Sequence, residues 1–525
     1  MTGSLAIACA QLNPTVGDLA GNLEAARAAR RAAGAQGAEL VVLGEFSLSG
    51  APLEGLARQP DFLDACRGAA TALAADTADG GPAVLFGVPW RDGPRVFSAA
   101  CLAEGGAVSA VQRKVLLSSA EEGIFDRGEL PGPIRFRDVA IGVLLGDDLA
   151  TEEVAECLEE TGAELLVALT ASSWHPGRQD QRLNAAVARV TESVLPLVWT
   201  NLVGGQDELV FDGASFGLNR DGSLAFQMAA FAEGVSLSRW RRSGEAWSCG
   251  EGERAVLAEG NDALRLACVL GLRDFVRKSG GQRALLPLAD DAEARFAAAM
   301  AVEALGAENV SGFIARGSRG VRAQTSGAEA WAASRGVAVE VVDLAEASAA
   351  LEAALGVSAC GDGDQEPLVA LALGIAAARR DEVPVTGVSR TRLLLGATAP
   401  GARFNPLKGL YAGEVAKLAG SDPVLARLPA PGLPSWAPTG LPDTVPLDDI
   451  LAALFERGLG CAEVAESAGV EPAVVRQVAA RLLAAEGTRR QAAPGPTFGR
   501  RGGASDMRLP IVDRWGGAKE NKDTS

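Results

Sequence analysis

Histidine is nearly missing from this chain: there is one, His175, in 525 residues. A zinc site built on imidazoles is thereby close to excluded. The eight cysteines do not compensate. Cys9, Cys66, Cys101, Cys157, Cys249, Cys268, Cys360 and Cys461 are scattered and form no C-x-x-C pair. They read as reduced, mostly buried thiols of a cytoplasmic protein, and no metal site is expected. No stretch approaches the roughly 20 apolar residues of a membrane span. The opening MTGSLAIACAQLNP lacks the basic and long apolar regions of a signal peptide. Positive charge is also in deficit: 49 Lys and Arg against 66 Asp and Glu gives 49 − 66 = −17. Nucleic acid and anionic membranes are poor partners for such a chain.

What is present suits a globular α/β protein. With 48% hydrophobic and 22% charged residues, the chain can build two or three domains with substantial cores. The stretch that organises the rest is FRDVAIGVLLGDDLA, residues 136–150. Val139–Leu145 is an apolar, β-branched run short enough for a buried strand, and Gly146, Asp147 and Asp148 follow at once. In open α/β folds the reacting groups lie just beyond the carboxyl ends of strands. Gly146 therefore stands where a nucleophile could be displayed, with no side chain to attack with.

In the first half, residues 5–10, 39–43, 83–88, 97–102, 107–111, 139–145, 164–169 and 194–202 read as strands. Helices are expected over 22–36 (with Asn22 as N-cap), 152–160 and 179–192, and a hairpin over 209–226 turning at 219–222. This alternation predicts a layered α/β sandwich of roughly 250 residues. In the second half, a helix over 266–280 precedes strands at 284–288, 309–314, 337–342 and 383–385. Helices are expected at 291–305 (Asp290 as N-cap, Gly306 as stop, Phe296 and Met300 facing the sheet), 327–334 and 368–379. That is the order of a doubly wound parallel sheet. Short helices at 447–456, 462–468 and 472–486 finish it, and residues 516–525 read as a disordered polar tail.

Glu45 follows one strand, Lys114 a second and Gly146 a third. A Glu, a Lys and a Cys on three strand ends would make an amidase, with Glu as base, Lys as oxyanion stabiliser and Cys as attacking thiolate. A Glu and a Lys after strands also read as plain solvated rim charges.

Four stretches of the first half resemble the glutaminase domain of glutamine-dependent NAD synthetases, a branch of the nitrilase superfamily: AQLNPTVGDLAGN, GAELVVLGEFSLSG, QRKVLL and NLVGGQDELVFDGASF. The resemblance implies a nitrilase-like α-β-β-α sandwich over 1–250, a linker at 251–265, a synthetase domain of adenine nucleotide alpha hydrolase type over 266–486, and a C-terminal arm and tail over 487–525. It puts Glu45 on the general base, Lys114 on the catalytic lysine and Ser172 on a substrate-contacting serine. The motif G-V-x-I-C-E-D-x-W falls on residues 142–150, so its Cys is Gly146, its Glu is Asp147 and its Trp is Ala150. Removing a covalent nucleophile costs about 10⁶ in kcat. Cys157, eleven positions on in an expected helix, cannot stand in without refolding.

In the second half VLGLRDFVRKSG, AVEALGAENVSGF, FNPLKGLYAGEVAKLA and RRQAAPGP carry the resemblance, but the ATP loop does not. The family's S-G-G-x-D-S cradles pyrophosphate on backbone N–H groups. Here it aligns with Ala289, Asp290, Asp291, Ala292, Glu293 and Ala294. A carboxylate about 4 Å from a phosphate costs up to roughly 4 kcal/mol at an effective dielectric of 20. The family's T-G-N-K-S-E aligns with 386–391, where its lysine is Ser389, and the acidic loop is shortened to 428–443. The basic segment 315–320 lacks the spacing of a P-loop but is the best remaining anion contact.

The expectation is a pseudoenzyme with vestigial residues Glu45, Lys114 and Ser172 and no cofactor. Its role would be scaffold, sensor of a glutamine-like amide, or regulatory subunit, as a homo-oligomer or paired with an active synthetase paralogue. The alternative is an active NAD synthetase using ATP and Mg, with glutamine or ammonia as nitrogen donor.

Overall fold

The computed structural model describes residues 3–499 apart from 245, 251, 317–325, 356–365, 398–400, 421–424 and 426–445. The shortened loop at 428–443, the tail at 516–525, Cys360 and most of 315–320 lie outside the described residues. The chain divides into two compact units, the first ending at Gly260 and the second starting at Asn261, with Asp207–Leu209 grouped with the second.

Period-two alternation builds the first unit. In β1 (Ser4–Gln11), Leu5, Ile7 and Cys9 join one core while Ala8 and Ala10 join another. A seven-stranded sheet combines β1 with β2 (Leu40–Leu43), β3 (Ala83–Asp92), β4 (Arg95–Glu104), β5 (Ala107–Arg113), β14 (Gly234–Ser243) and β15 (Ala246–Cys249), in the order β15-β14-β1-β2-β3-β4-β5. A six-stranded sheet, ordered β13-β12-β9-β8-β7-β6, is built from β6 (Ile134–Phe136), β7 (Val139–Leu145), β8 (Leu165–Thr170), β9 (Leu197–Asn201), β12 (Phe216–Leu218) and β13 (Leu224–Gln227). The short strands β10 (Val203–Gln206) and β11 (Leu209–Asp212) pair separately.

Ile7, Val42 and Leu85 of the first sheet meet Ile141, Val143, Leu145 and Val167 of the second in one buried core. The outer face of the first sheet buries against α1 (Leu19–Ala35) and α2 (Pro60–Asp76). The outer face of the second buries against α3 (Glu153–Glu160) and α4 (Arg178–Ser193). The result is the expected α-β-β-α sandwich. Helix α1 starts three residues early, with Asp18 and not Asn22 as its N-cap, the Asp18 side chain accepting from Gly21 N. Asn22 is buried and spends its amide on Thr15 and Leu48, which ties down the loop before the helix.

In the second unit β16 (Ala284–Pro287), β17 (Val310–Arg316), β18 (Ala338–Asp343) and β19 (Val383–Pro384) form an all-parallel sheet, ordered β18-β17-β16-β19. Helices α5 (Gly260–Lys278), α6 (Ala292–Leu305), α7 (Ser326–Ser334), α8 (Ala345–Leu355) and α9 (Glu366–Arg380) interleave with it. Phe296 and Met300 of α6 are buried, as their spacing predicts. Helix α8 is an addition to the sequence reading. Of the closing helices, α10 (Arg390–Leu394), α12 (Leu447–Phe455), α13 (Cys461–Ala468) and α14 (Pro472–Ala484) share a core around Leu451, Phe455 and Val478, joined by Tyr411 just before α11 (Ala412–Ala419). After α15 (Glu486–Arg489) the arm packs back on residues 404–409: Asn405 N donates to Pro494 O at 2.8 Å, and a Cβ on Gly409 would lie 2.5 Å from Pro496 O. Among the described residues no helix is long and apolar enough to cross a membrane.

Candidate active site

Strand ends of both sheets converge in the first unit. Glu45 lies two residues beyond β2, and its N–H donates to Thr170 O at the end of β8 (3.3 Å). A Cβ on Gly87 would sit 2.5 Å from Glu45 Cα, so only a glycine in β3 lets this turn come so close. Lys114 extends β5, its N–H donating to Ser98 O of β4 at 2.8 Å. Gly146 directly follows β7 with φ +46°, in the left-handed region that favours glycine.

These three sequence-predicted positions come together. The Lys114 ammonium donates to Glu45 Oε1 at 3.2 Å, to both oxygens of Glu121 at 2.8 Å and to Asp147 Oδ2 at 3.4 Å. Ser98 Oγ donates to Glu45 Oε1 at 2.7 Å. Glu45 and Lys114 are 3% and 2% exposed, which excludes the rim-charge reading. Burial pushes the Glu45 carboxyl up to about 7, against the pull of Lys114. Burial alone would pull Lys114 down; Glu45, Glu121 and Asp147 outweigh it and hold the ammonium above its usual range. A Cβ on Gly146 would lie 2.5 Å from Lys114 Nζ and 2.7 Å from Glu45 Oε2. The amine occupies the space into which a side chain at 146 would project.

Asp148 holds this frame. It is fully buried and accepts from the N–H groups of Val115 (3.0 Å), Leu116 (2.7 Å) and Leu145 (3.1 Å). One carboxylate thus fixes the chain after Lys114 to the chain before Gly146. Burial raises it to about 6 despite these donors.

Ser172 stands beyond the neighbouring strand β8. Its Oγ accepts from Arg178 Nε and Arg182 Nε, both at 3.0 Å, and its N–H donates to Asn201 Oδ1 at 2.8 Å. Arg182 is itself paired with buried Asp212 at 2.7 Å. No hydrogen bond joins Ser172 to Glu45 or Lys114 among the described residues. His175 Nδ1 lies 3.0 Å from Pro176 O, and burial lowers its pKa. Cys157, in α3, contacts Pro131 O at 3.7 Å and stays out of the cluster. Sequence reasoning missed Ser98, Glu121, Arg178 and Arg182. Glu121 had a local signal: Ser118-x-x-Glu121 is the capping-box pattern, and Ser118 N and Oγ both donate to Glu121 Oε2 at 2.9 Å.

In the second unit the loop after β16 is filled by its own carboxylates. Asp291, not Asp290, caps α6, accepting from Ala294 N at 2.9 Å. Asp290 is drawn sideways into an ion pair with Arg295, which leaves the cap to its neighbour. Glu293 is 1% exposed and accepts from Ser389 N (3.0 Å) and Arg392 Nη1 (3.4 Å). Burial raises its pKa. Gly387 survives because a Cβ there would lie 2.6 Å from Ala297 Cβ. The backbone N–H groups of Ala294 and Ser389 are thus both taken by carboxylates of this loop. In the basic segment, Arg316 is paired with Glu329.

Fold and strand-end cluster define a two-part class: an amide-hydrolase sandwich followed by a nucleotide-type parallel sheet. Residues 6–244 match the carbon-nitrogen hydrolase family model and residues 265–492 the NAD synthase model. The chain is 33% identical, over 98% of its length and 99% of the relative's, to a glutamine-dependent NAD(+) synthetase of Rhodobacter capsulatus. It is 28% identical to the one of Thermotoga maritima, over 97% and 99%. The structure of the glutamine-dependent NAD+ synthetase of Acinetobacter baumannii shares the fold, with a TM-score of 0.74 at 24% identity over 98% and 99% of the chains. The chain belongs to the glutamine-dependent NAD(+) synthetase family.

Proposed function

We propose that this member keeps the family's scaffold without its glutaminase step, and that it acts as a binding or regulatory protein. The observation that carries this reading is Gly146: the strand-end turn is present, its residue has no nucleophile, and Lys114 Nζ stands over it. The carboxylates of 289–294 extend the reading to the synthetase unit. Scaffold roles, as a homo-oligomer or beside an active paralogue, follow from the retained fold. An amide-sensing role would use Glu45, Lys114 and Ser172. The test is incubation of the purified chain with glutamine, ATP–Mg and nicotinate adenine dinucleotide, reading glutamate and NAD. The expected result is neither product. Turnover that Glu45→Ala or Asp290→Ala abolishes overturns the proposal.

The full-length likeness to proteins named as glutamine-dependent NAD(+) synthetases supports a second reading, a working ligase drawing on glutamine or ammonia, more directly than it supports the first. Under it, ATP would have to be bound by groups other than those at 289–294. NAD formed from ammonia but not from glutamine would select this reading for the synthetase unit alone.

A further inference from the structure

The second unit has a cavity at the amino-terminal edge of its parallel sheet, at the other end of β16 from the loop 289–294. Its volume is about 460 Å³, within the roughly 300–1,000 Å³ of small-molecule sites. It is lined by Arg277 in the last turn of α5, by Gly280, Gly281 and Gln282 of the connection to β16, by Leu305 at the end of α6 and by Asn309 just before β17. Gly280 has φ +82°, and a Cβ on Gly281 would lie 2.7 Å from Val383 Cγ2. The connection therefore turns sharply against β19 and contributes no side chain to the lining until Gln282.

The polar groups at this edge divide into spent and unspent. The carbonyls that end α5 have donors: Phe275 O accepts from Ser279 N, Val276 O from Gly281 N and Arg277 O from Gly280 N, each at 3.0 Å. Leu305 O accepts from Asn309 Nδ2 at 2.9 Å. Among the described residues, by contrast, no hydrogen bond or ion pair takes up the Arg277 guanidinium, the Gln282 N–H or the Gln282 side-chain amide. Acidic groups are kept off the lining: Glu303 pairs with Arg265, and neither Glu303 nor Glu308 lines the cavity.

A guanidinium offers a planar fork of donors that matches the oxygens of a carboxylate or a phosphate. Gln282 adds a backbone and a side-chain donor, and Leu305 an apolar wall. We propose that this cavity binds a small metabolite through a carboxylate or phosphate group held by Arg277 and Gln282. The site is separate from the strand-end cluster of the first unit and from the loop after β16, and it depends on neither reading of the reaction.

Phenylglyoxal, which modifies arginine, is applied to the full-length protein under single-hit conditions, and the peptide carrying Arg277 is followed by mass spectrometry. Inorganic phosphate and glutarate are the two probes, titrated at an ionic strength held constant with sodium chloride. The expected result is saturable protection by at least one of them. At ten times its Kd a probe leaves about one-tenth of the sites open, so modification of Arg277 slows about tenfold. Exposed Arg241, in β14 of the first unit, keeps its rate. Protection by phosphate alone assigns a phosphate-bearing ligand, by glutarate alone a carboxylate, and by both a general oxyanion site. Arg277→Lys keeps a cation in the last turn of α5 but loses the fork, which separates binding from a plain helix-end charge. The rise in melting temperature that the protecting probe gives the parent is expected to shrink in this variant. Gln282→Ala, in which Arg277 is still read directly, is expected to raise the half-protecting concentration about fivefold. The proposal is overturned by the absence of saturable protection with either probe, or by equal protection of Arg241. An undiminished rise in Arg277→Lys, or a half-protecting concentration unchanged by Gln282→Ala, also overturns it.

Discussion

At the scale of single residues, the first unit contains a buried cluster whose protonation is set by burial. Glu45 is raised to about 7, so its neutral form is favoured by folding. The contribution to stability is complete below the unfolded value near 4.5 and is lost as pH rises through 7. Glu45→Gln removes that dependence. Its melting temperature is expected to exceed the parent's at pH 8 and to converge on it toward pH 5, as read by differential scanning fluorimetry. Gly146→Ala tests the turn itself. An alanine at φ +46° loses about 1–2 kcal/mol, and its Cβ must displace Lys114. A lower melting temperature at every pH is the expected outcome. Glu45, Lys114 and Gly146 each follow a strand, but that placing alone also suited rim charges, and it was the family resemblance that singled out Glu45 and Lys114. Glu121 and Ser98 were not legible, since long-range partners of a buried lysine have no sequence spacing to betray them; only the local Ser118–Glu121 pattern was available.

At the scale of elements, strand ends are held by polar groups of loops. Asp148 joins the segment after β5 to the end of β7 through three N–H groups. Asparagine there offers one acceptor oxygen and turns an NH2 group toward a backbone donor. Asp148→Asn is expected to cost about 2–4 kcal/mol, seen as a fall in the urea midpoint. Val139–Leu145 was read from the sequence with the bounds it has in the structure, because an apolar run closed by Gly and two Asp marks both ends. Caps were harder. Asn22 and Asp290 are good N-cap residues by type, but neighbours at 18 and 291 took the role once Asn22 was buried and Asp290 was drawn to Arg295. Local propensity ranks candidates for a cap, and tertiary partners choose among them.

At the scale of the molecule, alternation of strands and helices was enough to read both layered architectures, and the family's scaffold runs through both units. The filled loop at 289–294 makes a prediction for the whole chain. A ligand at a hundred times its Kd stabilises a protein by about 2.7 kcal/mol, a readable rise in melting temperature. Millimolar ATP–Mg is expected to give none. A rise of several degrees would show that nucleotide is held despite Asp290, Asp291 and Glu293.

The Asp148 clamp carries one more consequence, in the currency of mutation. Its three bonds all go to backbone N–H groups, so the frame around 146 is held by Asp148 and not by a side chain at 146 itself. A substitution at 146 therefore meets a backbone frame fixed from elsewhere, and its cost falls on Lys114 and Glu45, which crowd that position.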